Sequence, residues 1–592
     1  MTAAAPRPNA ATPARAWLKA LETTAQATRD PARTLARAVG DWAAAYGDAP
    51  AVLSDVEQFS FRALAERANR YSRWALAAGL AKGDVVALMM GPRPEYFALW
   101  LGLTQVGVIV ALLNPNLAGP ALAHCVKVAD ARTAIVAAPF AETCAEAFAD
   151  LPLDVWRHGG DGDARRVDLA LSALSGAPLD DGERRATTLA DCALLIFTSG
   201  TTGLPKAAAV SHYRVVAWSH WFAGLADMRA DDRLYDCLPL CHSVGGVAAL
   251  AAALVNGGSV VIAEKFSTSR FWGDVARWDC TIFQYIGELC RYLVAAPETA
   301  DEKRHRLRLV CGNGLSADVW RAFVARFDVA QILEFYASTE GNLTLYNVEG
   351  RIGAIGRQPP FLAARDAVAL ARFDDATEAP LRGPDGLCAR CGVDEVGEAL
   401  GRVSDAAGQR FEGYTEPAET AKKILRDVFA PGDAWMRTGD LMRRDREGFY
   451  YFVDRVGDTF RWKGENVATS EVAAALSAAP GVKEAVVYGV AVPNADGKAG
   501  MAALTIDGAP DLTGIARAAS ALPRYARPLF LRIAPALEAT ATFKPIKRAL
   551  AADGFDPAKV ADPLYIYDGE RETYVALDAS RYAAIASGDK RL

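Results

Sequence analysis

A chain of 592 residues exceeds the size that one hydrophobic core sustains, so two or more domains are expected. The apolar fraction of 51% and the charged fraction of 23% are ordinary for a soluble protein, and the net charge of −6 argues against nucleic acid as a partner. Ten cysteines in a long chain without a secretory signal favour reduced thiols and a cytoplasmic location. The C-x-x-C pair Cys388 and Cys391 has no further ligands at zinc spacing and predicts two free thiols.

The N-terminal part of the chain predicts a short head followed by helices. Residues 1–15 are rich in alanine and proline, which predicts a disordered head. Helical spacing of apolar residues dominates residues 16–42. Residues 51–60 predict a hairpin around Asp55, and residues 61–79 predict a helix that ends at a glycine.

Helices and strands alternate in the next part of the chain. Residues 85–90 predict a buried strand, and the alternation continues through Ile135. Residues 96–113 have a borderline length for a membrane span, but polar residues and glycines interrupt them, which favours a core helix followed by a buried strand. Residues 157–188 are polar and rich in glycine and predict a surface excursion. The alternation predicts an α/β fold of mostly parallel sheets with helices on both faces.

A loop rich in glycine and hydroxyl residues follows the apolar run at residues 193–197. It is not a Walker loop, because Pro205 precedes the lysine and residues 207–210 predict a second strand rather than a helix. On composition alone, a simple turn between two strands is the alternative. Backbone N–H groups near glycines, hydroxyls and a lysine suit phosphate. The residues concerned are Thr198, Ser199, Gly200, Thr201, Thr202, Gly203 and Lys206.

The string from Thr198 to Lys206 resembles the phosphate-loop signature of the acyl-adenylate-forming superfamily, which includes acyl-CoA synthetases, luciferases and peptide-synthetase adenylation domains. The resemblance implies that residues 16–456 form a large α/β domain of helix-covered, mostly parallel sheets that binds AMP and the acyl group. Residues 457–592 would form a small, mobile α+β domain. The implied reactants are a carboxylic acid, ATP and CoA, with Mg²⁺ and without a prosthetic group.

Three further strings, residues 238–246, 310–315 and 333–342, resemble the nucleotide and acyl sites of that superfamily. His242 would lie beside the acyl carboxylate, although a histidine at such a place is more often a structural residue. Thr339 would reach the α-phosphate and Glu340 would bind Mg²⁺, although Glu340 alone would pass for a solvated loop carboxylate. The adenine would be held by Gly312, Asn313, Gly314, Tyr336 and Ala337.

Later strings resemble the ribose site, the hinge and the CoA tunnel. Asp440, predicted just after a strand, suits the two ribose hydroxyls, and Arg455 would also contact ribose. Gly457 takes the hinge position, where many members carry aspartate or lysine, and a glycine tolerates large changes of φ and ψ. The residues that would line the pantetheine tunnel are Lys463, Gly464 and Glu465.

The string from Ala539 to Lys547 resembles the loop that carries the catalytic lysine. The superfamily commonly has glycine before this lysine, whereas Phe543 stands there in this chain. The position after Thr-x-Thr-Phe favours Lys544 as the catalytic residue, and Lys547 stays the alternative. In the same domain, strands are predicted at residues 482–492 and 504–507.

Residues 311–320, residues 460–469 and the C-terminal tail resemble the fatty acid transport protein and very-long-chain acyl-CoA synthetase family. That branch implies an AMP-forming ligase that activates a long- or very-long-chain fatty acid and transfers it to CoA. Alternatives stay open: a ligase for a bile or aromatic acid, a membrane-associated fatty-acid uptake protein with little turnover and, least supported, a peptide-synthetase module. A homodimer and a peripheral contact with the cytoplasmic face of a membrane also stay open.

Overall fold

The computed structural model describes residues 12–161, 165–198, 204–374, 377–406, 408–463, 465–493, 495, 497–539, 546–587 and 589. By its internal contacts the chain divides into two compact units. The first unit comprises Met1–Gln358 and Ser404–Ile424, and the second unit comprises Pro359–Val403 and Leu425–Leu592.

The α-helices of the described residues are numbered here in chain order. Several begin with a side-chain cap, such as Ser211 before α8, whose hydroxyl accepts a hydrogen bond from the backbone of Arg214. The helices are α1 Pro13–Ala27, α2 Leu35–Tyr46, α3 Phe61–Ala77, α4 Pro94–Gln105, α5 Gly119–Val128, α6 Ala141–Phe148, α7 Val167–Ser172, α8 His212–Leu225, α9 Leu250–Leu254, α10 Phe271–Arg277, α11 Gly287–Ala295, α12 Ala317–Phe327, α13 Pro417–Lys422, α14 Thr469–Ser477, α15 Leu512–Ala519, α16 Lys547–Asp553 and α17 Ala579–Ala586.

The β-strands are numbered in the same way. Those of the first unit are β1 Pro50–Leu53, β2 Gln58–Ser60, β3 Val85–Met89, β4 Ile109–Leu112, β5 Thr133–Ala137, β6 Asp154–His158, β7 Cys192–Thr198, β8 Lys206–Ser211, β9 Arg233–Asp236, β10 Ser259–Ile262, β11 Ile282–Ile286, β12 Leu309–Asn313, β13 Ile332–Ala337, β14 Thr344–Asn347 and β15 Gly356–Arg357. The later strands are β16 Val368–Asp374, β17 Ala379–Pro380, β18 Gly397–Arg402, β19 Ile424–Arg426, β20 Ala434–Arg444, β21 Phe449–Arg455, β22 Phe460–Trp462, β23 Glu465–Val467, β24 Val482–Ala491, β25 Lys498–Ile506, β26 Phe530–Ile533, β27 Leu564–Asp568 and β28 Thr573–Ala576.

The first unit contains two mostly parallel sheets. One has the strand order β6-β5-β3-β4-β7-β8, and its neighbours are parallel except for the antiparallel pair β7 and β8. In the other, β1, β10, β9, β11, β12 and β13 run parallel in that order. Strands β2 and β14 pair antiparallel with β1 and β13. The α/β expectation of mostly parallel sheets with helices packed on them is confirmed.

Alternate residues of the first of these sheets face two apolar cores, as the two-residue period of a strand requires. Leu88 and Ile196 belong to a core that includes residues of α3, α4 and α8. Their neighbours Met89 and Leu195 belong to a separate core that includes residues of α5 and α6. Both faces of the sheet are therefore covered by helices, which explains why its strands are continuous apolar runs.

The second unit holds smaller sheets. Strands β17, β16, β18, β20 and β21 are antiparallel neighbours in that order. Strands β24 to β28 form a five-stranded sheet, in which only β25 and β26 are parallel. This sheet has its own apolar core with residues of α14 and α15. The fold is thus a large N-terminal sheet domain with a smaller C-terminal sheet domain.

Most of the elements predicted from the sequence are confirmed. The hairpin β1–β2, helix α3 and the succession of α4 and β4 lie where they were expected. The helical residues 16–42 form two helices, because residues 28–34 contain Pro31 and end at Thr34, the N-cap of α2. The surface excursion at residues 157–188 is wrong in part, because β6 extends through the buried His158 and α7 buries Leu171.

The expectation that Asp440 follows a strand is wrong. Asp440 lies inside β20, which continues to Arg444. Gly439 has φ of +76°, and the pairing register of β20 shifts near this residue, both with β18 and with β21. Because both neighbours keep pairing with β20 beyond this point, the glycine does not end the strand.

Among the described residues, no helix is long and apolar enough to cross a membrane. All ten cysteines are free thiols; Cys388 of the C-x-x-C pair is buried and Cys391 is half-buried. The described residues hold no group of three or more His, Cys, Asp or Glu side chains that could bind a metal ion.

Candidate active site

The loop that was predicted to bind phosphate joins two antiparallel strands. Thr198 ends β7 and Lys206 begins β8, and the two residues are paired across the strands. Both ends of the loop are therefore held side by side at the end of the hairpin where the two strands are connected. Five predicted phosphate ligands lie outside the described residues: Ser199, Gly200, Thr201, Thr202 and Gly203.

Lys206 has a carboxylate partner. Its ammonium lies 2.5 Å from Oε2 of Glu419, and the other oxygen of Glu419 lies 2.5 Å from the ammonium of Lys422. These two lysines lower the pKa of Glu419 to about 2, with the hydrogen bond from Lys206 as the largest cause. Lys206 also lies 5.8 Å from the ring centroid of Tyr414. The lysine is thus positioned by contacts from one segment, residues 412–423.

Tyr414 connects the phosphate loop to the predicted metal ligand. Its hydroxyl accepts a hydrogen bond from Thr198 and donates one to Glu340. The side chain is 8% exposed, and burial is the main reason that the pKa of this phenol is raised. The backbone of Tyr414 bridges to Ala208 of β8, which fixes it beside the loop. One phenol therefore bridges a phosphate-loop hydroxyl and a carboxylate.

Glu340 and Thr339 follow β13, in the loop where they were predicted to act. A carboxylate oxygen of Glu340 lies 4.0 Å from the ammonium of Lys423. The hydroxyl of Thr339 lies 3.0 Å from that of Ser243, the neighbour of His242. Two strings almost a hundred residues apart therefore meet at this contact.

Arg214 on α8 supports the loop after Glu340. Its guanidinium donates a hydrogen bond of 2.7 Å to the backbone carbonyl of Gly341. Burial lowers the pKa of Arg214, and the nearby carboxylates of Glu412 and Glu340 act in the opposite direction. Glu412 in turn accepts hydrogen bonds from the backbone and hydroxyl of Ser211, at 2.8 and 2.5 Å. The segment 412–423 is thereby anchored to the start of α8.

His242 precedes a π-helical segment, Val244–Ala249, that packs against α8 and α9. Its backbone carbonyl accepts a hydrogen bond from Gly246. Insertions of π-helix occur frequently at functional sites. The rings of Phe222 and Phe335 lie 4.9 Å apart, and both belong to the large apolar core. His242 thus lies between Cys241, which belongs to the large apolar core, and Ser243, whose hydroxyl contacts Thr339.

The predicted adenine residues belong to adjacent strands of the first unit. Gly312 and Asn313 end β12, and Gly314 follows with φ of +81°. Tyr336 and Ala337 end the neighbouring strand β13. The carboxyl ends of parallel strands are where open α/β sheets bind ligands.

The predicted ribose residues lie together in the second unit. Asp440 of β20 is paired with Arg455 of β21, and their charged groups lie 3.6 Å apart. The backbone N–H of Asp440 donates to the hydroxyl of Thr438 at 3.0 Å. Arg437 holds the fully buried Glu398 through hydrogen bonds of 2.7 to 3.0 Å, and Glu398 also accepts from Gly439. A buried ion pair therefore fixes the backbone next to Asp440.

Gly457 has φ of +83° and is exposed. A Cβ atom there would have only Glu378 within 4 Å, at 4.0 Å, so glycine is required by the backbone conformation and not by lack of space for a Cβ atom. Lys463 and Glu465 are exposed residues on either side of Gly464, which lies outside the described residues. Lys463 has φ of +51°.

Lys547, the alternative catalytic lysine, is held inside the second unit. Its ammonium lies 2.6 Å from the hydroxyl of Thr469 and 3.0 Å from a carboxylate oxygen of Asp458. The same threonine hydroxyl donates to the buried Asp454 at 2.8 Å. Lys547 is thus bound to two residues that follow Gly457, and Thr469 connects it to Asp454, which precedes Gly457. Lys544 lies outside the described residues.

Sequence reasoning missed Tyr414, Glu419 and Lys423. Each of them contacts a residue that had been predicted, but more than eighty positions away along the chain. The only local signal was the string Glu-Gly-Tyr at residues 412–414, a turn between polar segments. A turn of this composition indicates no chemistry by itself.

The structure resembles an anthranilate CoA ligase in complex with anthranoyl-AMP, with a TM-score of 0.76, 20% identity and coverage of 88% of this chain and 96% of that one. It also resembles ATP-bound MatB from Rhodopseudomonas palustris, with a TM-score of 0.73, 23% identity and coverage of 87% and 98%. These likenesses show a shared fold.

The profile of the AMP-binding enzyme family matches residues 39–368, and that of the AMP-binding enzyme C-terminal domain matches residues 471–544. The chain belongs to the AMP-binding enzyme family. It is 41% identical to long-chain fatty acid transport protein 1 of Mus musculus over 86% of this chain and 80% of the relative. It is 40% identical to long-chain fatty acid transport protein 6 of Mus musculus over 91% and 88%. The expected family and branch are confirmed.

Proposed function

We propose that the protein is an AMP-forming ligase that activates a long- or very-long-chain fatty acid with ATP and then transfers the acyl group to CoA. The observation that carries the proposal is the connected group of Thr198, Tyr414, Glu340, Thr339 and Ser243 in the first unit. The names of the curated relatives, long-chain fatty acid transport proteins, support the choice of acid.

The first half-reaction joins two anions, a carboxylate and the α-phosphate of ATP, so the site has to neutralise charge and align the reactants. Lys206 would exchange Glu419 for the β- and γ-phosphates. Thr339 would donate a hydrogen bond to the α-phosphate, and His242 would lie beside the acyl carboxylate. Ser243, which contacts Thr339, supports the idea that the acid and the α-phosphate meet at this point.

Glu340 suits Mg²⁺, because this ion is commonly bound by one or two carboxylates together with substrate phosphates. The carboxylate has Tyr414 as a hydrogen-bond partner, and its ammonium neighbour Lys423 is 4.0 Å away, so one oxygen can change partners with little rearrangement. When bound with ATP, the ion would neutralise charge on the leaving pyrophosphate.

Lys544 is proposed as the catalytic lysine that bridges the acyl carboxylate and the α-phosphate. The contacts of Lys547 with Thr469 and Asp458 support this choice, because they give Lys547 a role inside its own unit. Thioester formation would follow a rotation of residues 457–592 about Gly457. That rotation would remove Lys544 and bring Lys463, Gly464 and Glu465 to the pantetheine of CoA. Asp440 and Arg455 would hold ribose.

The test is ATP–pyrophosphate exchange with short, medium, long and very long fatty acids, a bile acid and an aromatic acid. We expect exchange with long acyl chains, and the joint appearance of AMP and acyl-CoA when CoA is added. Exchange confined to the bile or aromatic acid would keep the ligase and reject the fatty acid. Absence of exchange with every acid would reject the ligase.

A second candidate is a fatty-acid uptake protein with little turnover, which the word transport in the names of the relatives favours. It predicts binding of fatty acid and sedimentation with lipid vesicles in the absence of ATP, without AMP formation. The ligase proposal places the protein in the cytoplasm or on the cytoplasmic face of a membrane, so sedimentation alone is compatible with both. AMP formation decides between them.

A further inference from the structure

A buried carboxyl lies beneath the predicted adenine loop. Glu334 on β13 is 1% exposed, and one of its oxygens accepts a hydrogen bond of 3.1 Å from the backbone N–H of Leu315. The backbone N–H of Gly314 also donates to this carboxyl. Its other oxygen is hydrogen-bonded to the hydroxyl of Tyr285. None of these contacts is needed by the chemistry proposed above.

The register of three parallel strands explains how this contact arises. Tyr285 of β11, Gly312 of β12 and Glu334 of β13 are paired with one another across the sheet. They therefore lie in one row on one face of the sheet. A Cβ atom at Gly312 would collide with the backbone and the ring of Tyr285. The tyrosine thus crosses above Gly312 to reach Glu334, and only glycine at that position permits it.

A second close approach fixes the same loop from the neighbouring helix. Gly287 begins α11, directly after β11. A Cβ atom at Gly287 would collide with the carbonyl oxygen of Gly314. The backbone of the loop is therefore in contact with a helix terminus on one side and with the Glu334 carboxyl on the other.

We infer that Glu334 and Tyr285 are positioning residues that hold the Gly312–Leu315 turn in the shape required by the adenine base. Glu334 contacts no substrate in this account. It determines where the backbone of Gly314 lies, and that backbone determines the width of the slot for a flat base. The inference rests on the proposed function, since it assumes that this turn binds ATP.

Burial raises the pKa of Glu334 to about 8 and favours the neutral carboxyl. This supports the positioning role inferred for Glu334. A glutamine has the same shape and is also neutral. Its oxygen can accept from the two backbone N–H groups, and its amide can donate to Tyr285. Glu334→Gln should therefore retain the loop, whereas Glu334→Met leaves two backbone donors without an acceptor.

The test measures ATP affinity and base selectivity in the full-length protein. In Glu334→Met we expect the KM for ATP to rise about 10-fold, the cost of losing roughly one or two hydrogen bonds, while the KM values for the fatty acid and CoA stay within about twofold. The preference for ATP over inosine triphosphate should fall, because a loosened turn discriminates less between purines. Glu334→Gln should restore both values.

Two further variants make the test independent of the folding of Glu334→Met. Gly287→Ala pushes on the carbonyl of Gly314 without touching the carboxyl, and it should raise the KM for ATP in the same way. The control is Glu302→Met, which removes another buried carboxylate that accepts a backbone N–H and binds Arg326. It should lower stability without changing base selectivity.

Unchanged ATP affinity and base selectivity in folded Glu334→Met or in Gly287→Ala would overturn the inference and leave the proposed function intact. A wild-type protein that fails to bind ATP in an equilibrium titration would overturn both. An equal rise of all three KM values would also overturn it, because it would indicate a general structural role.

Discussion

Tyr414→Phe removes one hydroxyl and leaves the ring beside Lys206 in place. In the structure this hydroxyl accepts from Thr198 and donates to the carboxylate of Glu340. A hydrogen bond to a charged group contributes about 1.5 to 3 kcal/mol, and a neutral one about 1 kcal/mol. If about 2 kcal/mol of this is expressed in the transition state for adenylation, the rate falls roughly 30-fold.

The assay is acid-dependent ATP–pyrophosphate exchange at saturating ATP, repeated over a series of Mg²⁺ concentrations. We expect a lower maximal rate and a higher Mg²⁺ requirement, because Glu340 loses a fixed partner. Tyr96→Phe is the matched control, since the Tyr96 hydroxyl is buried and has no hydrogen-bond partner among the described residues. If the maximal exchange rate of Tyr414→Phe falls by less than about twofold, no more than that of Tyr96→Phe, the Tyr414 hydroxyl does not contribute to adenylation in this way.

Three other perturbations test separate parts of the account. Lys544→Ala should abolish exchange while ATP still binds, whereas Lys547→Ala should retain exchange with reduced thermal stability; the reverse result would exchange the two assignments. A proline at position 457 cannot adopt the φ of +83° that Gly457 has, so Gly457→Pro should retain exchange but block acyl-CoA formation. The control is Gly508→Pro, at an exposed glycine with φ of +72°, which should leave both half-reactions unchanged. Normal acyl-CoA turnover in Gly457→Pro would reject the hinge. Burial raises the pKa of Asp236 to about 8, so the folded protein favours the neutral carboxyl and is most stable at low pH. This contribution to the free energy of unfolding is lost as the pH rises toward 8, by at most about 1.4 kcal/mol per pH unit. Asp236→Asn should therefore unfold at higher denaturant concentration than wild type at a pH of about 7.5 and lose most of this advantage at a pH of about 5, and a constant difference would contradict the shift.

The sequence predicted those elements whose signal is local. The apolar run before Thr198 predicted β7, and residues 207–210 predicted β8. The prediction that Asp440 lies just after a strand was wrong, because two neighbouring strands keep pairing with β20 beyond this residue. The local conformational preference of a residue is overridden where hydrogen-bonded pairing with a strand on each side holds the backbone in place.

The contacts that organise the site could not be predicted in this way. Tyr414 reaches Thr198 and Glu340 because its backbone bridges to β8, a pairing between residues about two hundred positions apart. Glu334 lies under the adenine loop because the register of β11, β12 and β13 places it beside Gly312. Residue type and spacing along one strand carry no information about either contact. The family resemblance named the residues that would touch substrate but not those that hold them.

In the proposed reaction, a fatty-acid carboxylate attacks the α-phosphate of ATP. The most direct test uses a long-chain fatty acid labelled with ¹⁸O in its carboxyl group, incubated with the protein, ATP, Mg²⁺ and CoA, followed by mass analysis of the nucleotide product. If the acyl-adenylate forms and CoA then takes the acyl group, one labelled oxygen stays on the phosphate and the product is labelled AMP. Unlabelled AMP, or the formation of ADP, would contradict the account, because the acid would then not have been joined to the α-phosphate.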